Sequence, residues 1–307
     1  MRGWSAKGAF TWKHISVVLR PAIDWDILSP SIHPGPKQMS ASLPISKTEY
    51  VDIAWRGKPL RLEYQWVGAQ SSDHPTIVFL HEGLGSVSMW KDFPQRFCSD
   101  NGFAGLIFSR YGYGLSTPRP PGERWPTTFM HAQAHEVLPP LFAKLGVSKP
   151  WLFGHSDGGS IALLYAARYP QEVSGLVVAA PHISVEEVAI TSIQQARIAY
   201  LSTDLRARLA RYHANPDSAF WGWNDIWLDR TFRSWNIENH LPAITCPVMA
   251  VQGEDDEYGT LQQIYGIKEK LPHAHLLVLP QCRHSPHRDQ PATLSREAAQ
   301  FIVASAG

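Results

Sequence analysis

From residue 48 onward the chain alternates between short apolar runs and longer helix-forming stretches. Residues 48–55 and 60–67 have the β-branched and aromatic character of two strands, joined as a hairpin through Arg56-Gly57-Lys58-Pro59. Residues 76–80, Thr-Ile-Val-Phe-Leu, and residues 103–108 are continuous apolar runs, as expected of parallel strands buried on both faces. Similar runs recur at 151–153, 175–180, 248–252 and 275–279. Helical stretches lie between them at 129–145, where Pro139-Pro140 should kink or interrupt the helix, at 159–169, closed by Pro170, and at about 288–304. This rhythm predicts an α/β fold with a mostly parallel central sheet flanked by helices.

One stretch breaks the alternation. Residues 184–210 contain no Gly or Pro and many helix formers, a mainly helical pattern, and Phe220, Trp221, Trp223, Trp227, Phe232 and Trp235 follow. The expectation is a helical cap insertion at 184–245 over the C-terminal edge of the sheet, where open α/β folds bind ligands. Residues 46–183 and 246–307 would then form the core. Many of the aromatics must pack the insertion onto that core, and Trp223 and Trp227 are the candidates to face a substrate.

Composition narrows the picture. With 28 basic and 27 acidic side chains in 307 residues, no field draws in nucleic acid, and no apolar stretch is long enough to span a bilayer. Cys98, Cys246 and Cys282 lie far apart, form no C-x-x-C and cannot all pair, so free thiols in a reducing, cytoplasmic setting are expected. In residues 1–45, Arg2, Lys7, Lys13 and Arg20 precede any acid and a proline-rich run follows. This segment is expected to be a poorly ordered extension. It is either a stretch ahead of a start at Met39 or, as the alternative localisation, an organelle-targeting peptide. Oligomeric state leaves no signal in the sequence.

The chemistry centres on Gly154-His155-Ser156-Asp157-Gly158, a G-x-S-x-G between a strand and a helix. Glycines on both sides let the two elements approach, and the serine in so tight a turn projects its hydroxyl above the sheet. A serine hydroxyl needs a base. Cys282-Arg283-His284-Ser285-Pro286-His287 follows the last strand; His284, first in that loop, is the candidate, and His287 is the alternative. The acid that orients the base should follow the preceding strand, where Gly253 leads into Glu254-Asp255-Asp256-Glu257. Asp256 is chosen and Asp255 is the alternative. The order Ser, Asp, His differs from those of chymotrypsin and subtilisin. His81-Glu82-Gly83-Leu84-Gly85-Ser86 follows the 76–80 strand and can aim a backbone N–H at an oxyanion. Gly83 is the candidate donor, with Glu82 second, and the N–H of Asp157 would be its partner.

These four motifs, in this order, resemble the α/β-hydrolase superfamily with a helical cap over residues 47–305. The Ser156-Asp157-Gly158-Gly159 elbow is similar to that of the biphenyl-hydrolase-like esterases. Two positions depart from the pattern: Glu82 stands where many members have glycine, and Arg110 replaces a frequent aspartate. The resemblance implies acyl transfer to water from a small to medium, partly apolar ester, a small-molecule substrate, with no metal or organic cofactor. Glu82 and Asp157, two carboxylates near the reacting centre, would suit a cationic ester. A carbon–carbon bond hydrolase would use the same triad, although an aromatic residue commonly follows the histidine there and Ser285 does so here. A haloalkane dehalogenase needs a carboxylate in place of Ser156. An acyltransferase, or a hydrolase-fold ligand-binding or receptor protein with little turnover, completes the alternatives.

Overall fold

The computed structural model describes residues 47–68 and 75–305, so the expectation for residues 1–45 lies outside the described residues. Eight strands form one sheet: β1 (Glu49–Trp55), β2 (Lys58–Gly68), β3 (Thr76–Leu80), β4 (Ala104–Phe108), β5 (Trp151–His155), β6 (Gly175–Ala179), β7 (Val248–Gly253) and β8 (His275–Leu279). Their spatial order is β1-β2-β4-β3-β5-β6-β7-β8. β2 runs antiparallel to both β1 and β4, and every pairing from β4 to β8 is parallel. This is the mostly parallel, helix-flanked sheet that the alternation predicts.

The period-two pattern of β3 shows how the layers form. Ile77 and Phe79 face one side, with Trp90, Phe97 of α1 (Phe93–Asn101) and Leu294 and Ile302 of α10 (Pro291–Ser305). Val78 and Leu80 face the other, with Leu138 and Leu141 of α3 (Leu138–Leu145), Ile161 and Leu164 of α4 (Asp157–Arg168) and Ile264 of α8 (Gln262–Lys270). Phe79 is fully buried among Trp90, Phe97 and Phe153, with ring centroids 5.4–6.2 Å apart. β3 lies between β4 and β5, so the chain leaves β3 toward one neighbour and returns past it to the other. The loops after β3 and β5 therefore diverge at the C-terminal edge, leaving a crevice between them.

Several boundaries differ from the sequence reading, each for a local reason. The hairpin turn is Arg56-Gly57 alone, with φ of 51° and 76°, and Trp55 pairs with Lys58. Pro59 thus lies inside β2; β4 joins β2 only from Tyr64 on, so the far side of β2 is an open edge at that point. The 129–145 helix is not interrupted at Pro139-Pro140. It consists of α2 (Phe129–Ala132), a wide π turn over 133–137 in which Leu138 N–H reaches back five residues to Gln133 O, and α3. The wide turn leads directly into the prolines at the start of α3, where a missing N–H is tolerated. The helical pattern over 184–210 is realised as two helices, α5 (Glu187–Ser202) and α6 (Leu205–Leu209). Ser202 and Thr203 hydroxyls bond the carbonyls of Ile198 and Ala199, and Thr203 Oγ1 then accepts from Leu205 N–H, which ends one helix and begins the next. The closing helix splits into α9 (Pro286–Asp289) and α10, because Gln290 precedes a proline and leaves the helical region.

α7 (Pro216–Leu228) follows α6, with Asn215 capping it through Ser218 N–H and Pro216 at its first position. The stretch between β6 and β7 closes on itself: Ile237 N–H donates to Ile183 O at 2.8 Å, and Ser184 bridges Asn236. Since Phe79 joins both central strands to α1, Phe79→Ala should destabilise the fold by about 3–5 kcal/mol. Phe79→Leu should cost much less. Urea denaturation of the two variants measures the difference.

Candidate active site

Ser156 sits between β5 and α4 with φ 53° and ψ −121°. This is a left-handed conformation that costs a non-glycine residue roughly 1–3 kcal/mol. Its N–H donates to Ala179 O of β6 at 2.9 Å, and its carbonyl accepts from Gly159 and Ser160 in the first turn of α4. A Cβ on Gly158 would stand 2.0 Å from Leu80 O, so the start of α4 meets the end of β3 backbone to backbone and only glycine fits.

Two loops from the far strands meet the Ser156 hydroxyl. His284, after β8, places Nε2 2.9 Å from Ser156 Oγ and Nδ1 2.9 and 3.0 Å from the two oxygens of Asp256, after β7. Asp256 also accepts from Gln252 Nε2 and from the N–H groups of Tyr258 and Gly259, and Glu257 accepts from His284 N–H. Burial alone would push the His284 imidazole down. The charge and hydrogen bond of Asp256, with Glu257 and Glu82 beyond it, outweigh burial and hold its pKa above the ordinary value. Burial would raise the Asp256 carboxyl, but the charge and hydrogen bond of His284, with the Tyr258 N–H, hold it below the usual carboxylate value. The alternatives are placed elsewhere. Asp255 is exposed, and His287 is buried against Trp90 and His155, with ring centroids 4.8 Å from each.

The turn after β3 is built around a carbonyl. Arg110 Nη2 and His81 Nδ1 both donate to Glu82 O at 2.7 Å, and His81 Nε2 accepts from Arg110 N–H at 3.0 Å. These bonds fix the His81 tautomer, and burial keeps the ring neutral, with its pKa well below the ordinary value. Glu82 C=O and Gly83 N–H belong to one trans peptide and point in opposite directions. Clamping the carbonyl toward Arg110 therefore turns the Gly83 N–H the other way. Gly83 itself lines the cavity that holds Ser156, so tightly that a Cβ there would meet Trp223 Nε1 at 2.2 Å.

The two acids read as a possible cation site each face a basic side chain. Asp157 is buried, accepts from Trp227 Nε1 at 3.2 Å and lies 3.8 Å from Arg110 Nη2; burial raises its carboxyl despite that cation. Glu82 faces His155 Nδ1 at 3.5 Å, and His155 Nε2 donates to His284 O at 2.7 Å, which ties the β3 turn to the β8 loop. The cavity above Ser156 encloses about 710 Å³ including its open mouth. Met89, Ile193, Leu205, Leu209, Trp223 and Trp227 give it an apolar wall. Trp223, Trp227 and Glu82 thus lie at the cavity.

Sequence reasoning passed over His182, whose Nε2 is 3.4 Å from Ser156 Oγ, and the positions of His81 and His155. His182 follows the end of β6, and a strand-end position of this kind was the signal used for Asp256 and His284. Among the described residues no three His, Cys, Asp or Glu side chains group as metal ligands would, and no helix is long and apolar enough to cross a membrane. The three cysteines are buried and unpaired.

Residues 75–222 match the family model described as alpha/beta hydrolase fold. The chain is 27% identical over 301 residues to the human (Homo sapiens) protein named serine hydrolase BPHL, covering 93% of this chain and 97% of that protein. It is 24% identical to the proline iminopeptidase of Thermoplasma volcanium, over 78% of this chain and 92% of that one. Among solved structures, a thermophilic esterase from Thermogutta terrifontis superposes with a TM-score of 0.66 at 17% identity, covering 84% of this chain and all (100%) of that one. A relative along nearly the whole chain, this sheet order and the strained serine turn agree: the protein is a hydrolytic enzyme with the α/β-hydrolase fold.

Proposed function

We propose that the protein is a serine hydrolase that cleaves a small to medium, partly apolar ester through an acyl-enzyme on Ser156. The observation that carries this reading is the unbroken hydrogen-bonded series Asp256–His284–Ser156 on the floor of an apolar cavity. Residues 46–183 and 246–307 act as the core and 184–245 as a cap that supplies Trp223 and Trp227 to the cavity. His284 takes the hydroxyl proton as Ser156 attacks the carbonyl carbon, and Asp256 holds the tautomer and supports the imidazolium that forms. The N–H groups of Gly83 and Asp157 receive the oxyanion. His284 then protonates the leaving oxygen and activates the water that releases the acid.

Two observations favour an ester without a cationic group. The apolar wall suits hydrocarbon, and the two acids at the cavity, Glu82 and Asp157, already have His155, Trp227 and Arg110 as partners. An amine-bearing substrate, as the name of the iminopeptidase relative would suggest, would have to compete with Arg110 for Asp157 and with His155 for Glu82.

Ser156→Ala should abolish covalent labelling by a fluorophosphonate and hydrolysis of p-nitrophenyl esters; labelling that persists in the variant would refute the nucleophile assignment. A series from acetate to octanoate sizes the cavity through its optimum. Asp256→Asn should lower kcat on the order of 10³–10⁴-fold and Asp255→Asn hardly at all. The base must be unprotonated, so kcat/KM should rise with pH through the raised pKa of His284. Losing the Asp256 charge should move that limb to lower pH, as a pH–rate profile of each variant would show. His284→Ala should remove catalysis, whereas His287→Ala, which loses packing against Trp90, should lower Tm and leave most of kcat; the reverse ranking would reassign the base.

A further inference from the structure

His182 is buried, and it stands beside the nucleophile without a place in the mechanism above. The fold directs it there. Ala180, at the end of β6, has φ 48° and turns the chain, and Pro181 stiffens the next step. Ser160 of α4 then holds the backbone at 182 from both sides, donating to His182 O at 2.6 Å and accepting from His182 N–H at 3.1 Å. The Trp227 ring stands 4.8 Å away. Burial pushes the imidazole down to about 3, so it is neutral wherever the enzyme works.

A neutral imidazole has one N–H and one lone pair, and its neighbours decide which nitrogen carries the proton. The Nδ1–H of His284 goes to Asp256, so His284 Nε2 is an acceptor and takes the single proton of Ser156 Oγ. His182 Nε2, 3.4 Å from the same oxygen, can then only donate to it. Its buried Nδ1 is the lone-pair nitrogen and has no hydrogen-bond partner among the described residues. An apolar side chain would fill this place against Trp227 without burying an unsatisfied nitrogen, so packing does not account for a histidine.

We infer that His182 is a second catalytic histidine, whose Nε2–H supports Ser156 Oγ at rest and shifts to the leaving-group oxygen as the acyl-enzyme forms. The inference rests on Ser156 being the nucleophile. In that step the bond from Oγ to the acyl carbon forms, and the bond from that carbon to the alcohol oxygen breaks. The serine proton reaches the alcohol oxygen through His284. Oγ becomes an ester oxygen, a poor acceptor, while the departing oxygen gains charge beside His284 and becomes a good one. His182 keeps its proton throughout; it donates a hydrogen bond and transfers nothing.

The leaving group tests this role. A donor on the departing oxygen helps an alkoxide far more than p-nitrophenolate, which departs unaided. We would compare kcat/KM, which reports acylation, for ethyl butyrate and p-nitrophenyl butyrate in the wild type, His182→Leu and His182→Gln. The Leu variant should lose about 10–100-fold on the ethyl ester and less than about threefold on the aryl ester. The Gln variant, which carries an amide N–H of similar reach, should recover most of the loss. If the Leu variant does not fold, His182→Asn, whose amide is too short, takes its place against Gln. Equal losses on both esters, or an ethyl-to-aryl ratio at the wild-type value in every variant, would overturn the role of His182 and leave Ser156 in place. Turnover that survives in Ser156→Ala would instead remove the nucleophile reading, and this inference with it.

Discussion

The backbone contact between the start of α4 and the end of β3 governs the rest of the site. Because Gly158 has no side chain to hold α4 away from Leu80 O, the helix begins directly above the sheet. The connection from β5 must then be made by one residue, and Ser156 takes the left-handed conformation that makes it. Strain of this kind persists only where the surroundings over-determine it. Here the hydrogen bond from Ser156 N–H to β6, the α4 bonds to its carbonyl and the buried face of α4 leave it no alternative. The same geometry lifts Oγ to the height at which the β7 and β8 loops arrive, so Asp256 and His284 reach it without distortion of their own.

Beneath the reacting atoms lies a polar floor buried in a hydrophobic domain, which is a costly arrangement unless every group is answered. The floor is answered in part: the Glu82 carbonyl is met twice, His155 Nε2 donates to the His284 backbone, and Arg110 approaches His81, Glu82 and Asp157, while Arg110 Nε, His155 Nδ1, Asp157 Oδ2 and His182 Nδ1 have no hydrogen-bond partner among the described residues. Arg110 is nearly inaccessible, so its charge counts for more than a surface arginine's would. Its work is local: it sets the direction of one peptide, and through that peptide the direction of the Gly83 N–H.

Legibility in the sequence followed the range of the interactions involved. Strand runs buried on both faces have a signal of their own, and residues at strand ends inherit a position from it. Ser156, Asp256 and His284 could therefore be chosen by order and placement, and their side chains are found within hydrogen-bond distance. The break at Ser202–Thr203 was missed because the search was for Gly and Pro, whereas here hydroxyls competing for helix carbonyls do the work. The π turn ahead of Pro139 shows the opposite error, a breaker accommodated by a change of helix type just upstream. The pairing of Arg110 with Asp157 and the approach of His182 to Ser156 join residues 47 and 26 positions apart. Such contacts exist only once three loops converge, and no local pattern announces them.

The insertion between β6 and β7 is tied into this floor rather than merely laid over it. From α7, Trp227 donates to Asp157, the residue after Ser156, and Trp223 presses on Gly83. Lifting α7 would strip Asp157 of a hydrogen bond inside a dry site and relax the turn that aims the Gly83 N–H, a loss in the range of a buried, charge-assisted bond. No such bond from α6 to the floor is found among the described residues. It is a helix of only five residues between the Thr203 break and α7, and it adds Leu205 and Leu209 to the cavity wall. Apolar contacts of that kind rearrange at lower cost than a buried polar pair, because they leave no donor or acceptor unanswered. The two ends of the insertion therefore make different energetic demands. α7 holds the floor beneath Ser156 in place, and α6 bounds the apolar side of the cavity.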